Sequence, residues 1–183
     1  MSEKETKKIK KEFSIYEFEN EERFLEEQSA LGWHFKSLDK GNYIFEKDEG
    51  KEENEYLIDF FTEPLTDETV KVYNDEGFTI TYIMNSGKDG IWYYFSRILE
   101  ENNPPKKHQV EGRVFLLTRV KNRIERFGLV IMAVSLGYFG FAYFRFRETI
   151  YLVTLLFVGA MSIYFYKIYR DIKNKIKEYE SNT

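Results

Sequence analysis

The sequence predicts an α+β domain, two tandem β-α-β-β units forming a mostly antiparallel two-layer sandwich, followed by a two-helix transmembrane hairpin. Three observations carry that expectation. Residues 127–144 (FGLVIMAVSLGYFGFAYF) and 149–166 (TIYLVTLLFVGAMSIYFY) are uninterrupted apolar runs of 18 residues each, parted only by Arg145, Phe146, Arg147 and Glu148. Upstream, over 13–99, short strand-like runs alternate with amphipathic helical ones in an order that occurs twice. Charge is segregated: residues 1–110 carry 15 Lys/Arg against 25 Asp/Glu, a net of −10, and residues 111–183 carry 12 against 6, a net of +6.

As a helix, each apolar run is about 27 Å long, close to a bilayer's hydrocarbon thickness of roughly 30 Å. Arginines fall at the break between the runs and at their outer flanks, not inside them. Five basic residues (Arg113, Arg119, Lys121, Arg123, Arg126) precede the first run and five (Lys167, Arg170, Lys173, Lys175, Lys177) follow the second, against Arg145 and Arg147 between them. The positive-inside rule then places both termini in the cytoplasm of a multi-pass membrane protein. The alternative is a pair of core helices in a soluble protein, since 18 residues is short for a span. Within the first run Ala133, Gly137 and Gly140 share a face, offering close approach to Gly159 or Ser162 of the second. An amphipathic juxtamembrane helix is expected over 109–126, its apolar face on lipid or on a second copy, and a basic cytoplasmic tail over 167–183.

Taken in order, 1–12 reads as a disordered, lysine-rich leader with no apolar stretch of a signal peptide. Residues 13–18 (FSIYEF) read as a strand, Asn20 as a helix cap, and Gly32 as a left-handed helix terminus. Strands at 33–38 and 43–46 flank a turn at 39–42. The pattern restarts with a strand at 56–61, Thr66 as N-cap, a second helix closing on Gly77 with Phe78 turned back on Tyr73, a strand of clean period two at 78–84, and a last strand at 91–98. Gly32 and Gly77 lie 45 residues apart, as do Trp33 and Phe78. The expected sandwich has both helices on one face of the sheet. Residues 100–108, with Pro104 and Pro105, read as a linker.

These residues resemble a bacterial family catalogued as domain of unknown function 2812. The resemblance lies in FENEERFLEEQSALGWHFKSLDKGNYIFEK, then EYLIDFF, then the helix closing on EGF with GIWYYFSR after it, over 13–97. It implies a soluble N-terminal domain joined to C-terminal membrane helices and a genomic place beside a PadR-like regulator, and it implies no activity.

Chemistry is sparse. The absence of cysteine excludes disulfides, thiolate metal sites and cysteine nucleophiles. The acidic head argues against nucleic acid. His34 and His108 read as surface histidines, and no metal set or cofactor motif is visible. Glu21, Glu22, Glu26 and Glu27 read as a solvated helix face. Asp59 interrupts the apolar strand YLIDFF; either that face is partly wet or Asp59 is buried and paired, the first being the expectation. Trp33, Phe35, Tyr43, Phe45, Phe78, Tyr82, Trp92 and Tyr94 are assigned to the core. His34, Tyr93 and Phe95 point the other way and, with Asp59, define an expected ligand or partner face. The functional expectation is therefore a non-enzymatic, membrane-anchored cytoplasmic interaction or sensing module contacting the bilayer and a protein partner or second copy. The alternative is an accessory subunit of a membrane transport or immunity complex.

Overall fold

A computed structural model describes residues 5–48, 50–87 and 90–181. The chain divides into two compact units, Met1–Arg113 and Val114–Thr183. The first contains β1 (Thr6–Lys10), α1 (Phe18–Ala30), β2 (Trp33–Asp39), β3 (Asn42–Lys47), β4 (Asn54–Phe61), α2 (Asp67–Asp75), β5 (Thr79–Asn85) and β6 (Ile91–Ile98). The order β-α-β-β thus occurs twice. Each unit makes its own three-stranded antiparallel sheet, β1-β3-β2 and β4-β6-β5, with the first strand hydrogen-bonded to the third in both. The single sheet expected from the sequence is therefore two sheets of identical topology.

The glycine endings are as the sequence predicts. Gly32 and Gly77 have φ of 78° and 84°. At α2 the Gly77 amide donates to the Asn74 carbonyl and the Phe78 amide to the Tyr73 carbonyl, both at 2.9 Å. Tyr73 and Phe78 then share one buried cluster, the apolar contact that accompanies this ending. Thr66 caps α2 by accepting from the Thr69 amide.

The repeat also shows in a feature that no composition signal announces. β2 shifts register between Phe35 and Ser37, and β5 between Ile80 and Tyr82. The extra residues, Lys36 and Thr81, are again 45 apart, so each unit has its bulge at the same place. The period of two expected through 78–84 is broken there, leaving Ile80 and Ile83 exposed. Tyr82, just past the second bulge, donates from its hydroxyl to the Leu38 carbonyl at 3.1 Å and sets its ring edge-on to Phe35, tying one sheet to the other.

Two N-terminal expectations are corrected. Residues 13–18 are not a strand: the chain turns there, and α1 begins at Phe18, with Glu17 accepting from the Ser14 amide. Asn20 lies inside α1. The strand is instead Thr6–Lys10, within the supposed leader, paired with β3 from Thr6↔Glu46 to Lys10↔Asn42. Lysine stems permit this, because they lay methylenes on apolar surface while the ammonium stays wet. Lys7 sits over the Trp33 ring and Lys11 over the Phe24 ring, at 5.3 and 4.1 Å.

The two helices do not share a sheet face. α2 covers the side of the second sheet that carries Leu57, Tyr93 and Phe95. α1 meets the other side, where Phe18 lies 5.4 Å from Trp92. A strand reading IWYYF is aromatic on both faces and needs cover on both.

The helix α3 (Val110–Arg123) opens in the last residues of the first unit and continues in the second, where it passes through a π-helical turn at Ile124–Leu129 into α4 (Val130–Phe146). Arg147, at φ 59°, closes α4 by donating its amide to the Tyr143 carbonyl, and α5 (Thr149–Ser181) returns antiparallel. The break falls where the charges at 145–148 place it. The less exposed positions of α5 alternate in steps of three and four through Leu155, Val158, Ser162, Phe165 and Tyr169. That is the spacing of left-handed helix pairs. The small-residue face is corrected: Ala133 is exposed, and a Cβ at Gly137, Gly140 or Gly159 would meet nothing within 4 Å. These positions are not close-approach contacts, because the half-buried face of α4 follows Met132, Ser135, Leu136, Phe139 and Tyr143, with Ala142 its most buried member.

Candidate functional site

The expected ligand face is interior. His34 and Tyr93 are 5% exposed, Asp59 and Phe95 0%. Tyr93 and Phe95 lie under α2, the latter stacked on Tyr73 at 4.1 Å. His34 is a latch: Nε2 donates to the Asp48 carbonyl at 3.2 Å, leaving Nδ1 to accept from Asn54 Nδ2 at 3.3 Å, with Ser29 Oγ equally close. Neither histidine is on open surface, since His108 is half-buried with Nδ1 3.6 Å from Glu22.

Asp59 is buried and paired rather than wet. It accepts from Tyr73 Oη at 2.8 Å, the Gln109 amide at 3.0 Å and Arg113 Nε at 3.2 Å. Arg113, itself fully buried, also donates to Glu22 Oε1 at 2.7 Å and to the Ile58 carbonyl, and lies over the Phe18 ring. Burial raises the carboxyl of Asp59, and lifts that of Glu22 to about 7, against the pull of Arg113 on both and of Lys106 on Glu22.

The cluster exists because β4 is a sheet edge whose outward amides and carbonyls need partners. Glu22, Glu26 and Ser29 stand along one face of α1. They accept from the amides of Ile58, Tyr56 and Asn54 at 2.9, 3.1 and 2.8 Å. Four helix residues rise about 6 Å and two strand residues about 7 Å, so the two rows stay in step. The intervening carbonyls are taken by cations, that of Tyr56 by Lys106 at 3.0 Å and that of Ile58 by Arg113. Lys106 also pairs with Glu26 at 2.8 Å. Of the glutamates expected on a solvated face, Glu27 is exposed, whereas Glu21 and Glu26 are half-buried and Glu22 is buried. A signal was present: Phe18, Glu22, Leu25 and Ser29 recur at core-facing helical spacing.

The segment 100–108, expected as a free linker, is a strap. Arg97, 5% exposed, donates to Glu55, to the Glu76 carbonyl at the end of α2 and to the Pro104 carbonyl. Lys106 and the Gln109 amide bind farther along.

An aromatic concavity lies elsewhere in the first unit. A cleft of about 680 Å³ is lined by Phe13, Phe18, Tyr43, Tyr82, Trp92 and Tyr94, with Glu21 among them and Lys11, Glu12 and Lys40 at its exposed rim. Four of these rings come from strands, Tyr43, Tyr82, Trp92 and Tyr94, all assigned to core filling by the sequence. Glu21 Oε1 accepts from both Tyr43 Oη at 2.7 Å and Tyr94 Oη at 2.9 Å. Burial raises the Glu21 carboxyl and the two tyrosines bring it part of the way back, while both phenols are held far above their ordinary range. The tyrosines therefore act as fixed donors. Among the described residues no group of three or more His, Asp or Glu is placed to hold a metal ion.

Fold and site together define an α+β domain of two β-α-β-β units, closed by a strap, with two long apolar helices after it. The chain belongs to the family described as protein of unknown function (DUF2812), whose pattern it matches over residues 17–111. The match runs past Pro104 and Pro105, so the strap is part of the family's domain. No curated protein and no solved structure is recognisably similar to the chain.

Proposed function

We propose that this protein is a membrane-anchored cytoplasmic sensing module whose aromatic cleft binds a small ligand. The observation that carries the reading is the cleft: a concavity of drug-ligand size, walled by six rings around one acid held by two tyrosines. Phe18 gives the site a physical neighbour, since its ring lies 5.4 Å from Trp92 and 4.5 Å from the guanidinium of Arg113 at the start of α3. Occupancy of the cleft thus bears on Arg113 and on the buried carboxylates it pairs with, all within the first unit.

Lipid as the solvent of α4 and α5 is supported by three features. The continuous helix Val110–Phe146, which ends in α4, and Thr149–Ser181 are long and apolar enough to cross a membrane, with hardly any of their apolar stretches buried. Phe141, Phe144, Leu156, Phe157 and Ile163 are among the apolar side chains about two thirds exposed or more, which water disfavours. Thr154 and Ser162 return their hydroxyls to the carbonyls of Ile150 and Val158, so neither asks for a water partner. With five basic residues on each outer flank, both termini face the cytoplasm. The family's place beside PadR-like regulators suggests a regulated system as the setting.

The test is a thermal-shift screen of small ligands on the full chain in uncharged detergent, with Trp92→Ala as control, after carbonate washing of membranes. The reading expects retention in washed membranes and shifts that Trp92→Ala abolishes. Release by carbonate removes the anchor, and a screen without shifts removes the ligand site.

A further inference from the structure

We infer that the cleft takes a monovalent organic cation, an ammonium or similar head carried on an apolar or aromatic body, with the head against Glu21 and the body against the rings. This rests on the reading of the cleft as a ligand site and names its ligand class.

Glu21 Oε1 is occupied by two phenols, but Oε2 has no donor among the described residues and is not sealed from solvent. An acid held among aromatic walls is costly unless its charge is met. Tyr43 and Tyr94 meet it on one oxygen and leave the other without a donor, on a residue that lines the cleft. The walls suit the same ligand. Aromatic faces attract cations, and a cation withdrawn from water among several rings gains more than one at the surface. The chain already uses rings this way, one of them a wall of the cleft, with Lys11 Nζ 4.1 Å from the centroid of Phe24 and 5.0 Å from that of Phe13.

Charge layout sets the valence. Tyr43 and Tyr94 are buried, at 5% and 2% exposure, so Glu21 marks the inner end, whereas Lys11 and Lys40 are exposed at the rim with Glu12. An anion entering far enough to use the rings meets Glu21. A dication presents its second charge to the two lysines. A single positive charge at the inner end, with an uncharged body reaching toward Tyr82, Met84 and Trp92, meets neither penalty.

The experiment is calorimetric titration of the full chain in uncharged detergent with three probes of like bulk: phenyltrimethylammonium, its uncharged isostere tert-butylbenzene, and 4-tert-butylbenzoate. The cation is expected to bind about tenfold tighter than the isostere or better, and the benzoate weakest. Glu21→Gln, which keeps an acceptor for both tyrosines, is expected to bring cation and isostere to within about threefold of each other. Because the ranking on the unaltered chain decides, a Glu21→Gln chain that fails to fold does not spoil the test. Isostere or benzoate binding as tightly as the cation overturns the inference and leaves the cleft a ligand site. No binding of any probe up to about 10 mM overturns both.

Discussion

Arg113 Nε donates to Asp59 Oδ1 across 3.2 Å with neither side chain exposed to solvent, joining the first turn of α3 to the edge strand of the second sheet. Two charges removed from water hold together only while both are present. Arg113→Met strands Asp59 and Glu22 and is expected to destabilise the α+β unit by about 3–5 kcal/mol. Asp59→Asn made in the Arg113→Met background is expected to cost much less than Asp59→Asn alone, because the charge it removes no longer has its partner. Both tryptophans, Trp33 and Trp92, lie in that unit, so denaturant unfolding followed by their fluorescence reads it directly. Additive losses contradict the coupling.

The same cluster makes stability depend on pH. Burial lifts Glu22 from an ordinary 4.5 to about 7, so between those values the folded chain keeps a proton that the unfolded chain has released. Its contribution is full below about pH 4.5 and is lost as pH rises through about 7, on the order of 3 kcal/mol. Burial raises Asp59 and Glu21 as well, so they act in the same direction. The melting temperature is expected to fall from pH 5 to pH 8, and Glu22→Gln to flatten that slope. A melting temperature that climbs over the interval contradicts the sign.

Gly112 separates helix propensity from packing. Alanine in place of a helical glycine ordinarily stabilises by about 1 kcal/mol. Here the added Cβ would run into the carbonyl of Phe60, backbone that cannot swing aside. Gly112→Ala is therefore expected to destabilise by about 1–3 kcal/mol, and a stabilised variant in the same denaturant experiment would show that α3 does not approach β4 so closely.

What the sequence made legible is what a few neighbouring residues decide. The positive φ at Gly32 and Gly77, the Thr66 cap and the break at 145–148 each follow from chemistry within one helical turn. What it hid depends on distant partners. Asp59 reads as wet until Arg113, 54 positions on, arrives to neutralise it, and Glu22 waits for the same side chain 91 positions away. β1 reads as a charged leader because its lysines signal solvent, and only β3 supplies the edge on which it pairs. Tyr43, Tyr82, Trp92 and Tyr94 read as core only if the strands make a single sheet with one covered side. With the strands divided between two sheets, the cover is incomplete and those rings wall a cleft instead.

In the hairpin, composition and geometry disagree about which small residues matter. Composition favours Gly137, Gly140 and Gly159, whereas space is open at all three and Ala142 alone on α4 is nearly sealed, at 3% exposure. The chain has no cysteine, so cysteines introduced at the exposed positions Ile131 and Ile163 accept spin labels without background. Gly137→Leu with Gly140→Leu is expected to leave the label-to-label distance as in the parent. Ala142→Leu, which forces about three extra carbons into a filled contact, is expected to lengthen or broaden it. The reverse result would return the close approach to the glycine face and move α5 around α4.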